Sequence, residues 1–303
     1  MFWNKLLKNR KYNLKNFRNT KKHNIFANWN PYKRGLSFHN YLIYNFIKLF
    51  PEKKIINLHK KLKNTNLGNP PGITFKKRFI TIDDCWTLEE LMFLEKIIKK
   101  NYTILEIGAG YGRTAHGILN SFKINKYFII DLNTNLQLAK KYLNEVLSKK
   151  NFSKIVFIPF EKFNFNKLEF HNLLKKNTTS KKNDNIDLSI NIDSFGEMKP
   201  KLINQYLNFL KDVSNNFYFK NTVAKYMPKD LINHLSKNDR PPKYNMELNF
   251  QKKIINVFDD NQIKKYTKIA NRNFNPNTKK FSCKYFNSNL INFYNHSYFY
   301  LKK

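Results

Sequence analysis

A chain of 303 residues with 41% hydrophobic content is long enough for a full α/β core with additions. Its formal net charge of +35, from 56 Lys and Arg against 21 Asp and Glu, would by itself suggest nucleic acid or an anionic membrane surface as partner. Lysine and asparagine are spread over every predicted element and arginines are few, which is compositional bias rather than a localised phosphate-reading face. No specific nucleic acid and at most a weak association with anionic membrane surfaces is expected.

The first acidic residue is Glu52, and the stretch before it is basic and aromatic. It lacks the serine content of an organellar presequence and has no uninterrupted apolar run. LSFHNYLIYNFIKLF at 36–50 is broken by His39, Asn40 and Asn45 and is too short to span a bilayer. A cytoplasmic protein is expected. Cys85 and Cys283 are far apart, with no Cys-x-x-Cys pair, which fits a reducing compartment and argues against a structural zinc site. Residues 1–86 read as an N-terminal helical extension, with its clearest helix over 41–50 and punctuation at LGNPPG, 67–72. Thr87-Leu-Glu-Glu90 predicts a capping box opening a helix over 87–100, and the second domain is expected to run from there to 303.

Residues 102–107 carry Ile104, Leu105 and Ile107 without a helical period and predict a buried strand. Beyond Gly112, Ala115, Ile118, Leu119 and Phe122 mark one face of a helix. Between them lie Gly108, Gly110 and Gly112. Glycines there allow φ > 0 and close approach of a ligand, and the helix start offers unpaired N–H groups. A dinucleotide turn would place its third glycine where this chain has Arg113, and no Gly-Lys-Ser/Thr follows for a Walker loop. What remains is Glu106-x-Gly108-x-Gly110-x-Gly112. It resembles the first motif of class I S-adenosylmethionine-dependent methyltransferases, although a tight turn without ligand has the same local signature.

KYFIIDL at 126–132 predicts a second strand ending in Asp131. That carboxylate, about 20 residues beyond the glycines, suits the hydroxyls of a ribose. The other reading of Asp131 is a charge at the start of a helix over 135–147. Further strands are predicted over 154–160, 187–192 and 216–220, with a polar loop over 175–185 and a helix over 201–213 opened by Pro200. In the tail, a DRPPKY loop at 239–244 and two last strands, near 254–258 and 292–301, are expected. Strands alternate with helices, so the fold class is α/β with a mostly parallel, seven-stranded Rossmann-like sheet.

GAGYGR at 108–113, DSFGEM at 193–198 and YFKN at 218–221, with NWNPYKRGLSFHNYLIYNF at 28–46 and LGNP at 67–70, resemble the sugar O-methyltransferases of bacterial surface-polysaccharide clusters. The likeness spans residues 28–221. It implies a class I methyltransferase fold, S-adenosyl-L-methionine as cofactor, and a sugar hydroxyl of a sugar nucleotide or lipid-linked glycan as acceptor. Under that resemblance Glu106, Gly108, Gly110 and Gly112 line the methionine end, Asp131 holds the ribose, Phe160 and Glu161 flank the adenine, and Ala109 and Leu132 are further cofactor-binding residues. The N-terminal extension would then be a cap over the acceptor. Asp193 and Glu197 follow the fourth strand, where the crevice of an open α/β sheet lies. Glu197 is expected as general base or acceptor-orienting group, with Asp193 nearer the cofactor. Glu197 equally suits the N-terminus of the following helix. His116 and His39 read as structural, with His39 a second choice for an acceptor contact. Two rival classes are a nucleic-acid methyltransferase and a non-catalytic cofactor-binding module. The first commonly carries Asn/Asp-Pro-Pro-Tyr/Phe where this chain has Asp193-Ser-Phe-Gly196. The intact Glu106, glycines and Asp131 count against the second.

Overall fold

The computed structural model describes residues 13–18, 36–178, 185–226 and 249–302, with backbone alone for 36–39 and 226. The expected DRPPKY loop at 239–244, residues 28–35, the 179–184 part of the polar loop and the side chain of His39 lie outside the described residues.

The elements in order are α1 (Leu36–Lys48), α2 (Glu52–His59), β1 (Gly72–Phe75), β2 (Arg78–Thr81), α3 (Ile82–Leu94), β3 (Thr103–Ile107), α4 (Arg113–Ser121), β4 (Lys126–Asp131), α5 (Asn133–Val146), α6 (Lys149–Phe152), β5 (Ile155–Pro159), α7 (Lys167–Asn177), β6 (Leu188–Ile192), α8 (Pro200–Val213), β7 (Asn216–Thr222), β8 (Lys225–Tyr226), β9 (Ile254–Ile255), α9 (Asp260–Phe274), β10 (Phe281–Asn287) and β11 (Tyr294–Leu301). A seven-stranded sheet has the order β10-β11-β7-β6-β3-β4-β5. β4, β3, β6 and β7 pair in parallel, and β11 pairs antiparallel with both β7 and β10. The fold is Rossmann-like α/β, with an antiparallel strand inserted near one edge.

The chain forms two compact units. The first holds the described residues up to Asn101, Ala109–Ile124 and Asp131–Glu161. Its β1–β2 hairpin turns on Lys76 and Lys77, both at positive φ (46° and 62°), the backbone a two-residue hairpin turn demands and one that lysine adopts at a strain. α3 starts at Ile82, five residues before the predicted helix over 87–100. Thr81 accepts from the N–H of Asp84, whose carboxylate accepts from the N–H of Thr81, so the capping box is Thr81–Asp84 rather than Thr87–Glu90. Both quartets fit the pattern, and the choice falls upstream because Thr87 and Glu90 are needed elsewhere. Thr87 Oγ1 donates to Asp83 O one turn back and accepts from Arg113, which also engages Glu90. The helix stops at Leu94, short of the predicted Lys100.

The second unit comprises Tyr102–Gly108, Asn125–Ile130 and the described residues from Lys162 on. β3 and β6 are buried throughout, as central strands covered on both faces must be. The predicted strand near 254–258 is corrected. Only Ile254–Ile255 pairs, in parallel with β8, in a separate two-stranded sheet. The place in the main sheet belongs to β10, whose sequence FSCKYFN hides it: Lys284 and Tyr285 are exposed on an edge strand, so no run of apolar residues marks it. α9 lies in the tail, where no helix is predicted. Asp259 caps it, accepting from the N–H groups of Asn261 and Gln262. Among the described residues no helix is long and apolar enough to cross a membrane.

Candidate functional site

In the first unit the turn entering α4 bends through Gly110 (φ 58°) and Gly112 (φ 94°), where a Cβ on Gly112 would strike the Leu143 side chain at 2.8 Å. The Gly110 N–H donates to Asp131 Oδ2 at 2.7 Å. Asp131 Oδ1 accepts from the N–H of Leu132 (2.6 Å) and from Asn135 Nδ2 (2.9 Å). A carboxylate offers about four acceptor directions. Three are used, and one on Oδ2 remains for a donor beside the glycine turn. Burial pushes the Asp131 carboxyl up to about 6, against the pull of its bonds to Asn135, Gly110 and Leu132.

A raised carboxyl pKa means that the folded state holds this proton more tightly than the unfolded chain. The stability it contributes is fully present below the ordinary value of 3.8 and is lost as pH rises toward 6, by about 3 kcal/mol in all. A 13C NMR titration of the Asp131 carboxyl carbon, assigned with Asp131→Ala, should show a midpoint near 6. A midpoint in the ordinary aspartate range would mean that the site is wetter than its burial implies.

Leu132 is buried and forms the N-cap position of α5 without a capping side chain. The service comes from Glu161, exposed on a short 3-10 turn, Phe160–Lys162, whose two carboxylate oxygens accept from the N–H of Asn133 at 3.2 and 3.1 Å. Phe160 is half-buried beside it, as is Ala109 in the glycine turn.

The same unit ties the turn to the N-terminal region through residues the sequence did not flag. Tyr111, between Gly110 and Gly112, is buried and donates its hydroxyl to Asp83 Oδ2 at 2.8 Å. That oxygen also meets the buried Arg18 guanidinium at 2.9 Å. Arg18 donates further to the carbonyl of Thr65 (2.6 Å) and to Thr81 Oγ1 (3.1 Å). Arg113 takes the place of a third glycine because it turns to α3, where it grips Glu90 with two bonds of 2.8 and 2.9 Å. Burial opposes the Arg113 charge, but Glu90 outweighs it and holds the guanidinium pKa above its ordinary value. His116 shares a hydrogen bond of 2.9 Å between Nδ1 and the Tyr142 hydroxyl, and burial pushes its pKa down to about 4. A neutral, packed imidazole is what its structural reading expects.

In the second unit the Glu106 carboxylate is buried in β3 and accepts from the Tyr127 hydroxyl of β4 at 2.9 Å. Gly108 (φ 75°) has no room for a Cβ, because the Ser194 side chain occupies that space. Ser194 Oγ and Asn191 Nδ2 both donate to the Ile107 carbonyl at 3.0 Å, and Asn191 Nδ2 also donates to Ser194 Oγ. The chain leaves β3 for β4 on one side and has β6 on the other, so the switch point of the sheet lies at the carboxyl ends of β3 and β6. Asp193 sits there at φ 61°, a left-handed conformation unusual for a residue with a side chain, with its N–H donating to the Lys220 carbonyl at 2.9 Å. Glu197 ends the 3-10 turn Ser194–Glu197 and is exposed.

No family profile matches the sequence, and no curated protein matches it. Solved structures of similar fold include the methyltransferase domain of bacterial CtHen1-C, at 11% identity over 72% of this chain and 97% of that one, with a TM-score of 0.46. Magnesium protoporphyrin IX methyltransferase (ChlM) from Synechocystis PCC 6803, solved with bound SAH, has 10% identity over 73% and 86% of the two chains and a TM-score of 0.44. The PH0226 protein from Pyrococcus horikoshii OT3 has 16% identity over 72% and 89%, also with a TM-score of 0.44. The likeness is one of fold, and the class of fold is the Rossmann-like sheet described above.

Proposed function

We propose that the chain is an S-adenosylmethionine-dependent methyltransferase acting on a hydroxyl of a sugar, in a sugar nucleotide or lipid-linked glycan. The observation that carries the cofactor reading is the Gly110 N–H bonded to Asp131 Oδ2, with one acceptor direction of that oxygen left beside the glycine turn. A ribose hydroxyl is a donor of the right kind. Glu106 and the backbone of Gly108, Ala109, Gly110 and Gly112 would serve the methionine end, Leu132 the ribose, and Phe160 and Glu161 the adenine. Residues 1–86 would form a cap over the acceptor.

The cofactor supplies an electrophilic sulfonium methyl. The protein's share is to align the acceptor oxygen in line with it and to take the proton that the hydroxyl loses. Asp193 and Glu197, after β6, are the carboxylates proposed for that work, with Glu197 as base or orienting group. Glu197→Gln keeps size but removes basicity, so turnover should fall by about 10²-fold or more while S-adenosylmethionine affinity stays within twofold. Near-normal turnover would leave Glu197 as a charge ahead of α8 and move the role to Asp193.

The decisive experiment incubates the protein with methyl-labelled S-adenosylmethionine and, in parallel, sugar nucleotides, lipid-linked glycans or RNA. Label in the sugar supports the proposal, and label in RNA replaces it with the nucleic-acid reading. Compositional charge also makes a prediction of its own. Binding to DNA or RNA should be weak, without sequence preference, and largely lost by physiological salt. A tight, sequence-selective complex at that salt would put the nucleic-acid reading first.

A further inference from the structure

The second unit gathers amide side chains at the carboxyl edge of the sheet. Asn221, near the end of β7, lies opposite Asn295 of β11, and Asn191 of β6 shares their face through Phe219. Asn221 Nδ2 donates to Asn191 Oδ1 at 3.1 Å. Asn295 Nδ2 donates to Asn271 Oδ1 of α9 at 2.7 Å and to Ser297 Oγ at 2.6 Å. One helical turn beyond Asn271, Phe274 stacks on Phe195 at 6.0 Å and meets Phe250 at 5.7 Å, the neighbour of Gln251. Asn249 fastens this segment to the turn after Asp193, donating its N–H to Met198 O at 2.7 Å and Nδ2 to Gly196 O at 3.3 Å.

Asn221, Gln251, Asn271 and Asn295 are only 5%, 3%, 6% and 3% exposed. Even so, Asn221 Oδ1, Asn295 Oδ1, Asn271 Nδ2 and Gln251 Nε2 find no hydrogen-bond partner within the protein. Buried amides are ordinarily paired, because an unmet donor or acceptor keeps its full desolvation cost. The unmet set is two acceptors and two donors. An anion only accepts and would leave both Oδ1 atoms unmet. A cation would meet the Oδ1 atoms and leave both N–H groups unmet. Hydroxyl groups donate and accept, so they suit both kinds of unmet atom.

We propose that Asn221, Gln251, Asn271 and Asn295 form a hydroxyl-recognising subsite for a neutral polyhydroxylated ring, at the carboxyl edge of β6 and β7 beside Asp193. This rests on the reading of a sugar as acceptor and supplies the residues that would recognise it.

Saturation-transfer NMR with the methyl α-glycosides of glucose, galactose and mannose tests the subsite, with S-adenosylmethionine binding measured separately by calorimetry. Wild-type protein should transfer saturation to the ring protons of at least one glycoside. Asn221→Leu, close in volume and without the amide, should weaken that glycoside about tenfold or more while leaving S-adenosylmethionine affinity within twofold. If Asn221→Leu does not fold, Gln251→Met carries the same expectation. Binding of S-adenosylmethionine without any glycoside overturns the subsite and leaves the methyltransferase reading standing. Glycoside binding equal in wild type and variants also overturns it, and assigns the four amides to internal water. Variant-sensitive glycoside binding without S-adenosylmethionine binding supports the subsite and sinks the methyltransferase reading instead.

Discussion

Arg113→Met should lower the stability of the fold by about 3–5 kcal/mol, a large share of what a domain of this kind has to lose. The methionine keeps most of the arginine stem but leaves Glu90, whose side chain is 1% exposed, without its two-pronged guanidinium. A carboxylate held in that environment without its guanidinium must either stay charged at high cost or take up a proton. Urea denaturation at neutral pH measures the loss. The double variant Arg113→Met with Glu90→Gln should recover much of it, because the buried charge is then gone. An Arg113→Met protein as stable as wild type would show that solvent already screens the pair. The same variant loosens the first residue of α4, directly after Gly112, so its S-adenosylmethionine affinity should fall as well.

Asp131→Ala should weaken S-adenosylmethionine by about 10- to 100-fold at pH 7.5, the range for losing a hydrogen bond to a charged acceptor. Two effects combine. On the proposed reading the ribose would lose its acceptor, and the Gly110 N–H loses the carboxylate it donates to within the turn. The pH dependence is a sharper signature. A hydroxyl donor favours the ionised carboxyl, and burial sets that ionisation near pH 6. Wild-type affinity should therefore decline as pH falls through 6, whereas Asp131→Ala should show no such decline. Calorimetry at several pH values decides it. A flat wild-type profile, or an alanine variant that binds normally, would return Asp131 to the role of a helix-start charge.

Several elements were legible because their causes are local. The helix from 113 follows from hydrophobic period, the strands at 103–107 and ending at Asp131 from short apolar runs without one, and the turn from glycines that tolerate positive φ. Where two local signals compete, sequence gives no ranking. Thr81-x-x-Asp84 and Thr87-x-x-Glu90 are both capping quartets, and only the demand of Arg113 for Glu90 and Thr87 separates them. β10 was missed because an edge strand with exposed Lys284 and Tyr285 lacks the apolar run that marks its buried neighbours.

The sequence by itself determined the glycine turn, the acid that ends the second core strand, and an alternation of strands and helices that permits few folds other than a parallel α/β sheet. Each depends on backbone preferences acting over a few residues. Tertiary structure alone decided that Arg113 belongs to Glu90, that Tyr111 is anchored by Asp83 and Arg18, and that buried amides of β7, β11 and α9 meet at one edge of the sheet. Those pairings join residues tens of positions apart. Their strength comes from the water they exclude, and exclusion of water is a property of the packed chain rather than of any stretch of it.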